Sequence, residues 1–216
     1  MLDLRLTDLR ILDIFANNKV TDASLMLLDN ITHLNASCTS VTDHSISKLT
    51  LLNRLYVDHV PITNIGIWNL TLLTCLRIDS NKCINDLALC RLKNLITLNC
   101  RKCDLLTDMS ISQLTKLKLL SISDSINITD VSLFQLTQLQ LLDANRALRV
   151  TDASVSKLTD LKSLAVAKNP SVTNISVVQL LNLTDLDAGY NQNITDAVIS
   201  SLTGLKTLSM YGNNVI

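Results

Sequence analysis

A repeat constrains this chain more than any other feature. An anchoring leucine recurs at Leu6, Leu28, Leu49, Leu70, Leu92, Leu114, Leu136, Leu158, Leu180 and Leu202, at intervals of 22, 21, 21 and then 22 six times. A period of this length marks a stack of similar supersecondary units, none of which can bury its apolar face alone. The repeat runs from end to end, so residues 1–216 are read as a single domain with no room for a second.

Each unit keeps its apolar residues at constant offsets. Six after the anchor stands a leucine in all ten units, from Leu12 and Leu34 to Leu208, and two further on comes a smaller or β-branched residue such as Ile14, Ala36 or Val57. Alternation with a period of two predicts a short strand with these side chains inward. One strand per coil stacks in parallel at about 4.8 Å, giving a sheet on the order of 45 Å long. Offset eleven favours Asn (Asn17, Asn81, Asn169, Asn191, Asn213), which predicts a buried ladder of amides bonded to turn backbone. Thr39, Cys103 and Ser125 are partial substitutes in that column, and Val60 and Ala147 are none. The two 21-residue units cover this stretch, so a distortion of the ladder is expected there.

An apolar-Thr-Asp step follows, as in Val20-Thr21-Asp22 or Ile128-Thr129-Asp130. Thr or Asp there is expected to cap a one- to two-turn helix by accepting its first free N–H groups. The alternative, a metal-binding Asp column, is weakened by Asn64 and Asn174, which keep a capping oxygen and lose the charge.

The pattern in LTDLDAGYNQNITDAVISSL resembles the leucine-rich repeat LxxLxLxxNxxI followed by a convex helix, and the Ile-Thr-Asp step is similar to the cysteine-containing subclass of F-box substrate receptors. The resemblance implies an α/β solenoid with a parallel sheet on its concave face and short α or 3-10 helices on its convex face. It also implies partner binding on the concave side. These units are shorter than that subclass's, and no F-box-like segment precedes them, so a ubiquitin-ligase role does not carry over. The units also resemble stand-alone leucine-rich repeat proteins of Marseillevirus-type giant DNA viruses, which would place the chain in the host cytoplasm and implies no biochemical activity.

Composition narrows the function classes. Apolar residues make up 47 % but aromatic ones only 3 %, which suits thin identical layers of Leu, Ile and Val. Nineteen basic residues balance nineteen acidic ones, so the clustered cations that bind nucleic acid or anionic membrane are missing. No apolar run is long enough for a membrane span, and the first residues lack a secretory apolar core. The six cysteines read as reduced thiols of a cytoplasmic protein. His33, His44 and His59 share no coil, and Cys100-Arg-Lys-Cys103 straddles two structural columns, so catalytic residues, metal and cofactor are all expected to be none.

The outward strand side chains lie at offsets five, seven and nine. In coils two to five these present His33, Arg54, Tyr56, Asp58, Arg77, Asp79 and Arg101, with Lys102 just beyond, whereas coils six to eight present mainly Ser, Ala and Leu. Tyr and Arg are enriched at binding hot spots, so this patch is the expected site for a protein or peptide partner. The competing reading is that its charges merely pair across strands. A rival function is end-to-end association, a homodimer through the solenoid ends, because the terminal coils carry no polar caps.

Overall fold

The computed structural model describes residues 6–213. Ten three-residue strands, from Ile11–Asp13 to Thr207–Ser209, form one parallel sheet whose order is the order of the chain. Each strand leucine stands opposite the next, Leu12 against Leu34 and Leu208 against Leu186, so the same side chain forms the same layer in every coil. Leu34, Leu55, Leu76 and the equivalents through Leu186 are at most 2 % exposed. The final one, Leu208, is 37 % exposed, because no described coil covers it. Leucine, isoleucine and valine fill the interior, each layer burying the face its neighbour cannot cover alone.

Nine short helices line the opposite face among the described residues, beginning with Asp22–Leu25 and ending with Ala197–Ser201. Threonine caps six of them and Asn85 a seventh: Thr42, Thr63, Thr107, Thr129, Thr151 and Thr173 each accept an N–H two residues ahead. Asp plays a different part from the one its position suggests. It occupies the first helical residue, and its carboxylate reaches into the next coil. Asp22 accepts the N–H and hydroxyl of Thr42 and the hydroxyl of Ser45; Asp86, Asp130 and Asp152 repeat the set with Thr107 and Ser110, Thr151 and Ser154, Thr173 and Ser176. Each threonine therefore caps its own helix while donating to the carboxylate of the coil before.

The Asn exceptions follow from this geometry. Asn64 and Asn174 still accept the next N–H, from Asn85 and Thr195, but their amide nitrogens now donate where a carboxylate would accept. A serine hydroxyl one coil later would have no acceptor, and in the serine column those two coils carry Ala88 and Val198. Thr195, occupied by the Asn174 amide, caps nothing, and the last helix starts late with no side-chain cap. At Gly66, where the column also lacks a serine, the Asp43 carboxylate occupies the space a Cβ would take.

The amide ladder holds where asparagine is present. The Asn81, Asn169 and Asn191 side chains, at most 2 % exposed, each donate to at least two carbonyls of the preceding coil and accept an N–H two residues ahead. The Cys103 thiol substitutes by donating to the Ile78 carbonyl. The shortened units leave the sheet undisturbed: register passes unbroken from His33 through Arg54 to Cys75. The lost residue comes out of the turn, where Thr39-Ser40-Val41 replaces the longer Asn17-to-Val20 connection. The expected distortion is thus confined to that loop.

One column was not anticipated. Offset ten, the residue after the last outward strand position, is left-handed in ten successive coils: Ala16, Cys38, His59, Ser80, Lys102, Asp124, Arg146, Lys168 and Tyr190 have φ between 54° and 60°, and Gly212 has 74°. Only the last is glycine, so nine L side chains bear this strain.

Candidate functional site

The sequence-derived patch lies on the concave face, and its members are tied together more closely than spacing alone implied. Tyr56 and Arg77 are register partners on adjacent strands. The Arg77 guanidinium sits 5.3 Å from the centre of the Tyr56 ring and pairs with Asp58 at 2.9 Å. Cation–π contact and ion pair hold one planar group from two sides, which fixes a long side chain before any partner arrives. Tyr56 also shares a hollow of about 390 Å³ with His33, Arg54, Ile11, Asp13 and Asn35. His33 is oriented there by Thr32, whose hydroxyl lies 2.8 Å from its Nδ1.

Asp58 and Asp79 carry structural duties as well. The N–H at offset nine has no backbone partner in the sheet, so a side chain must satisfy it. Asp58 accepts that N–H from Asp79 and Asp79 accepts it from Arg101, while Ser37 accepts it from Asp58. In other coils the offset-seven residue of the same strand serves, as Asp13, Asn35, Asp143 and Asp187 do. Asp58 is accordingly buried, 8 % exposed. Burial, with the neighbouring Asp58 charge, raises the Asp79 carboxyl above its ordinary value despite its bond from Arg101.

The structure thus links Tyr56, Arg77, Asp58 and Asp79 through direct contacts, with Arg101 attached through its backbone, while His33 and Arg54 share the hollow beside Tyr56. Lys102 stands apart in the left-handed turn, where its carbonyl accepts the Lys82 ammonium. Two features escaped sequence reading. The offset-ten side chains wall the second half of the concave face, where small strand residues leave a trough (below). On the helical side, Ile65, Leu87, Met109 and Val131 form a row in four adjacent coils, each at least 63 % exposed. They occupy the second helical position, which points away from the core. Trp68 on the same side is partly covered by Arg91, whose guanidinium lies 4.6 Å from its ring.

All six cysteines are free. Burial drives the Cys103 thiol up to about 12 and the fully enclosed Cys100 well above an ordinary thiol, so neither is a nucleophile at neutral pH. Among the described residues no group of three His, Cys, Asp or Glu side chains converges to hold a metal, and no helix is long and apolar enough to cross a membrane.

No protein-family model and no curated protein matches the chain. Solved structures do. An internalin (inlC2) of Listeria monocytogenes superposes with a TM-score of 0.68 at 28 % identity, over 88 % of this chain and 84 % of that one. An internalin (inlF) of the same organism gives 0.64 at 27 %, over 87 % of this chain, which spans only 62 % of its length. A chain of the yeast Rad7 and Elc1 complex gives 0.57 at 21 %, over 96 % of this chain and 77 % of that one, a likeness of fold alone. Repeating unit, sheet register and neighbours together make this chain a leucine-rich repeat protein.

Proposed function

We propose that the protein is a non-catalytic binding module that takes a protein or peptide partner on the concave sheet, centred on Tyr56 and Arg77. The observation that carries this reading is the clamping of Arg77 between the Tyr56 ring and Asp58. Hot spots are rich in Tyr and Arg because they combine area with directional contacts, and a side chain ordered in advance loses less entropy on binding. His33, Arg54, Asp79 and Arg101 border the pair, and Lys102 adds positive charge beyond it. The mixed charge suits a polar protein surface better than a lipid or a polyanion.

The test is affinity capture from native cell extract with wild-type protein and the Tyr56→Ala, Arg77→Ala and Arg101→Ala variants. At least one substitution should weaken a captured partner by about 2 kcal/mol with little change in thermal stability. Unchanged binding by the triple variant overturns the concave-patch reading and points to the exposed row Ile65, Leu87, Met109 and Val131.

A further inference from the structure

Coils five to ten contain a second concavity, of about 370 Å³. Its floor is the offset-nine column, where Asn145, Ala167 and Gly189 are short. Arg101 closes one end and Tyr211 the other. One wall consists of left-handed residues, Asp124, Arg146, Lys168 and Tyr190, whose turned backbone brings them to the rim.

The lining has a definite chemistry. Arg146 pairs with Asp124 at 3.2 Å, and Asp187 is committed to the Gly189 N–H. That leaves Arg101 and Lys168 outside the ion pairs among the described residues, although the Arg101 charge also bears on Asp79. Lys168 stands 4.6 Å from the Tyr190 ring centre, and Tyr190 meets Tyr211 edge-on at 5.2 Å. Glycine at 189 is not a demand of the fold: an added Cβ would stand 3.4 Å from Asp187 Oδ1 and 3.5 Å from the Tyr211 carbonyl, ordinary contact. A floor left low without structural need, between cations outside any ion pair and paired aromatic rings, is space for an anionic, partly apolar chain.

We propose that this trough takes an extended acidic segment of a partner protein, its carboxylates against Arg101 and Lys168 and an adjoining apolar side chain over Gly189 against Tyr190 and Tyr211. The assignment rests on the concave face being the binding face, and it adds the class of ligand and a second place on that face. Lys168 is exposed and supplies charge to the rim; the floor supplies depth.

The test is selection of a random peptide library, displayed on phage, against the wild-type protein. The unselected library and two variants, Lys168→Glu and Ala167→Trp, serve as controls, with folding of each variant checked by circular dichroism. Selected peptides should be enriched in Asp and Glu, and synthetic copies should lose about tenfold in affinity on Lys168→Glu, ~1.4 kcal/mol. Ala167→Trp, which fills the floor, should abolish binding; if it fails to fold, Lys168→Glu decides alone. Peptides without acidic bias, peptides that bind Lys168→Glu as tightly as wild type, or no enrichment at all overturn the proposal. Binding lost only on Tyr56→Ala and Arg77→Ala leaves the concave-patch reading standing and removes the trough. Displacement by a DNA oligonucleotide of equal charge makes the trough a general anion site, which also overturns it.

Discussion

The carboxylate of Asp130 accepts two hydrogen bonds from Thr151 in the next coil, from the backbone N–H at 2.8 Å and from the hydroxyl at 2.7 Å. With the Ser154 hydroxyl on the same group, this contact repeats along the helical side and ties each coil to its neighbour. Asp130→Asn should therefore cost about 2 kcal/mol, because the amide nitrogen cannot accept and one hydroxyl loses its acceptor. Adding Ser154→Ala should restore part of the loss, reproducing the pairing seen at Asn64 with Ala88 and Asn174 with Val198. Urea unfolding of the two single variants and the double variant measures the coupling. A cost for Asn below ~0.5 kcal/mol would refute the inter-coil role and return the Asp to simple capping.

The amide column gives a contrast inside one ladder. Asn191 donates to the Asn169 and Val172 carbonyls and accepts from the Asn193 N–H, fully enclosed. Ser125 occupies the same column, and its buried hydroxyl has no partner among the described residues. Asn191→Ala should cost about 3 kcal/mol by orphaning those groups, while Ser125→Ala should change stability by less than ~0.5 kcal/mol. Equal losses at the two positions would show that the ladder is not what holds these turns.

Much of this architecture is legible from the repeat. The strand leucines, the amide ladder and the helix starts follow from offsets, because every coil obeys the same geometry. The Asp contacts were less legible, since capping and reaching to the next coil use the same residue type at the same place. The signal was nevertheless present in the covariation of Asn64 with Ala88 and Asn174 with Val198. The trough was hidden for a different reason. Spacing treats Arg146, Lys168 and Tyr190 as turn residues, and only a left-handed backbone brings them to the concave rim. Charges at Asp58 and Asp79 looked purely like surface, because the orphan N–H they satisfy exists only once the sheet is built.

The left-handed column predicts an easy gain. Ser80 has φ of 60° and its N–H donates to the Arg101 carbonyl, a bond glycine keeps. Left-handed backbone costs an L residue about 1–2 kcal/mol, and glycine's greater freedom when unfolded costs about 0.5–1 kcal/mol. Ser80→Gly should therefore stabilise by roughly 0.5–1 kcal/mol, and Ser80→Val should destabilise. The denaturant midpoints of the two variants should move in opposite directions; a shift to lower denaturant for glycine contradicts the strain argument.

Opposite pKa shifts at Asp79 and Asp22 predict opposite pH dependences. Burial and the Asp58 charge raise the Asp79 carboxyl, outweighing Arg101 and Arg77. The folded protein thus holds that proton more tightly than the unfolded chain, and above the raised value the ionised group lowers stability. Asp79→Asn keeps an oxygen for the Arg101 N–H and removes the charge, so it should raise the unfolding midpoint at neutral pH. That gain should shrink as pH falls through the raised value and vanish below the ordinary aspartate value of 3.8. Asp22 is the reverse case: burial alone would raise it, but hydrogen bonds from Ser45 and Thr42 and the His44 charge bring it below the ordinary value. Its ionised form stabilises the fold above 3.8, and that contribution is lost as pH falls through the lowered value. Asp22→Asn should be destabilising at neutral pH and should approach wild type in acid. Thermal unfolding of wild type and both variants from neutral to strongly acidic pH gives two difference curves of opposite sign. Curves of the same sign would mean that the carboxylate network on the concave face is as favourable as the ladder on the helical side, and that Asp79 is held by its partners rather than strained by its neighbour.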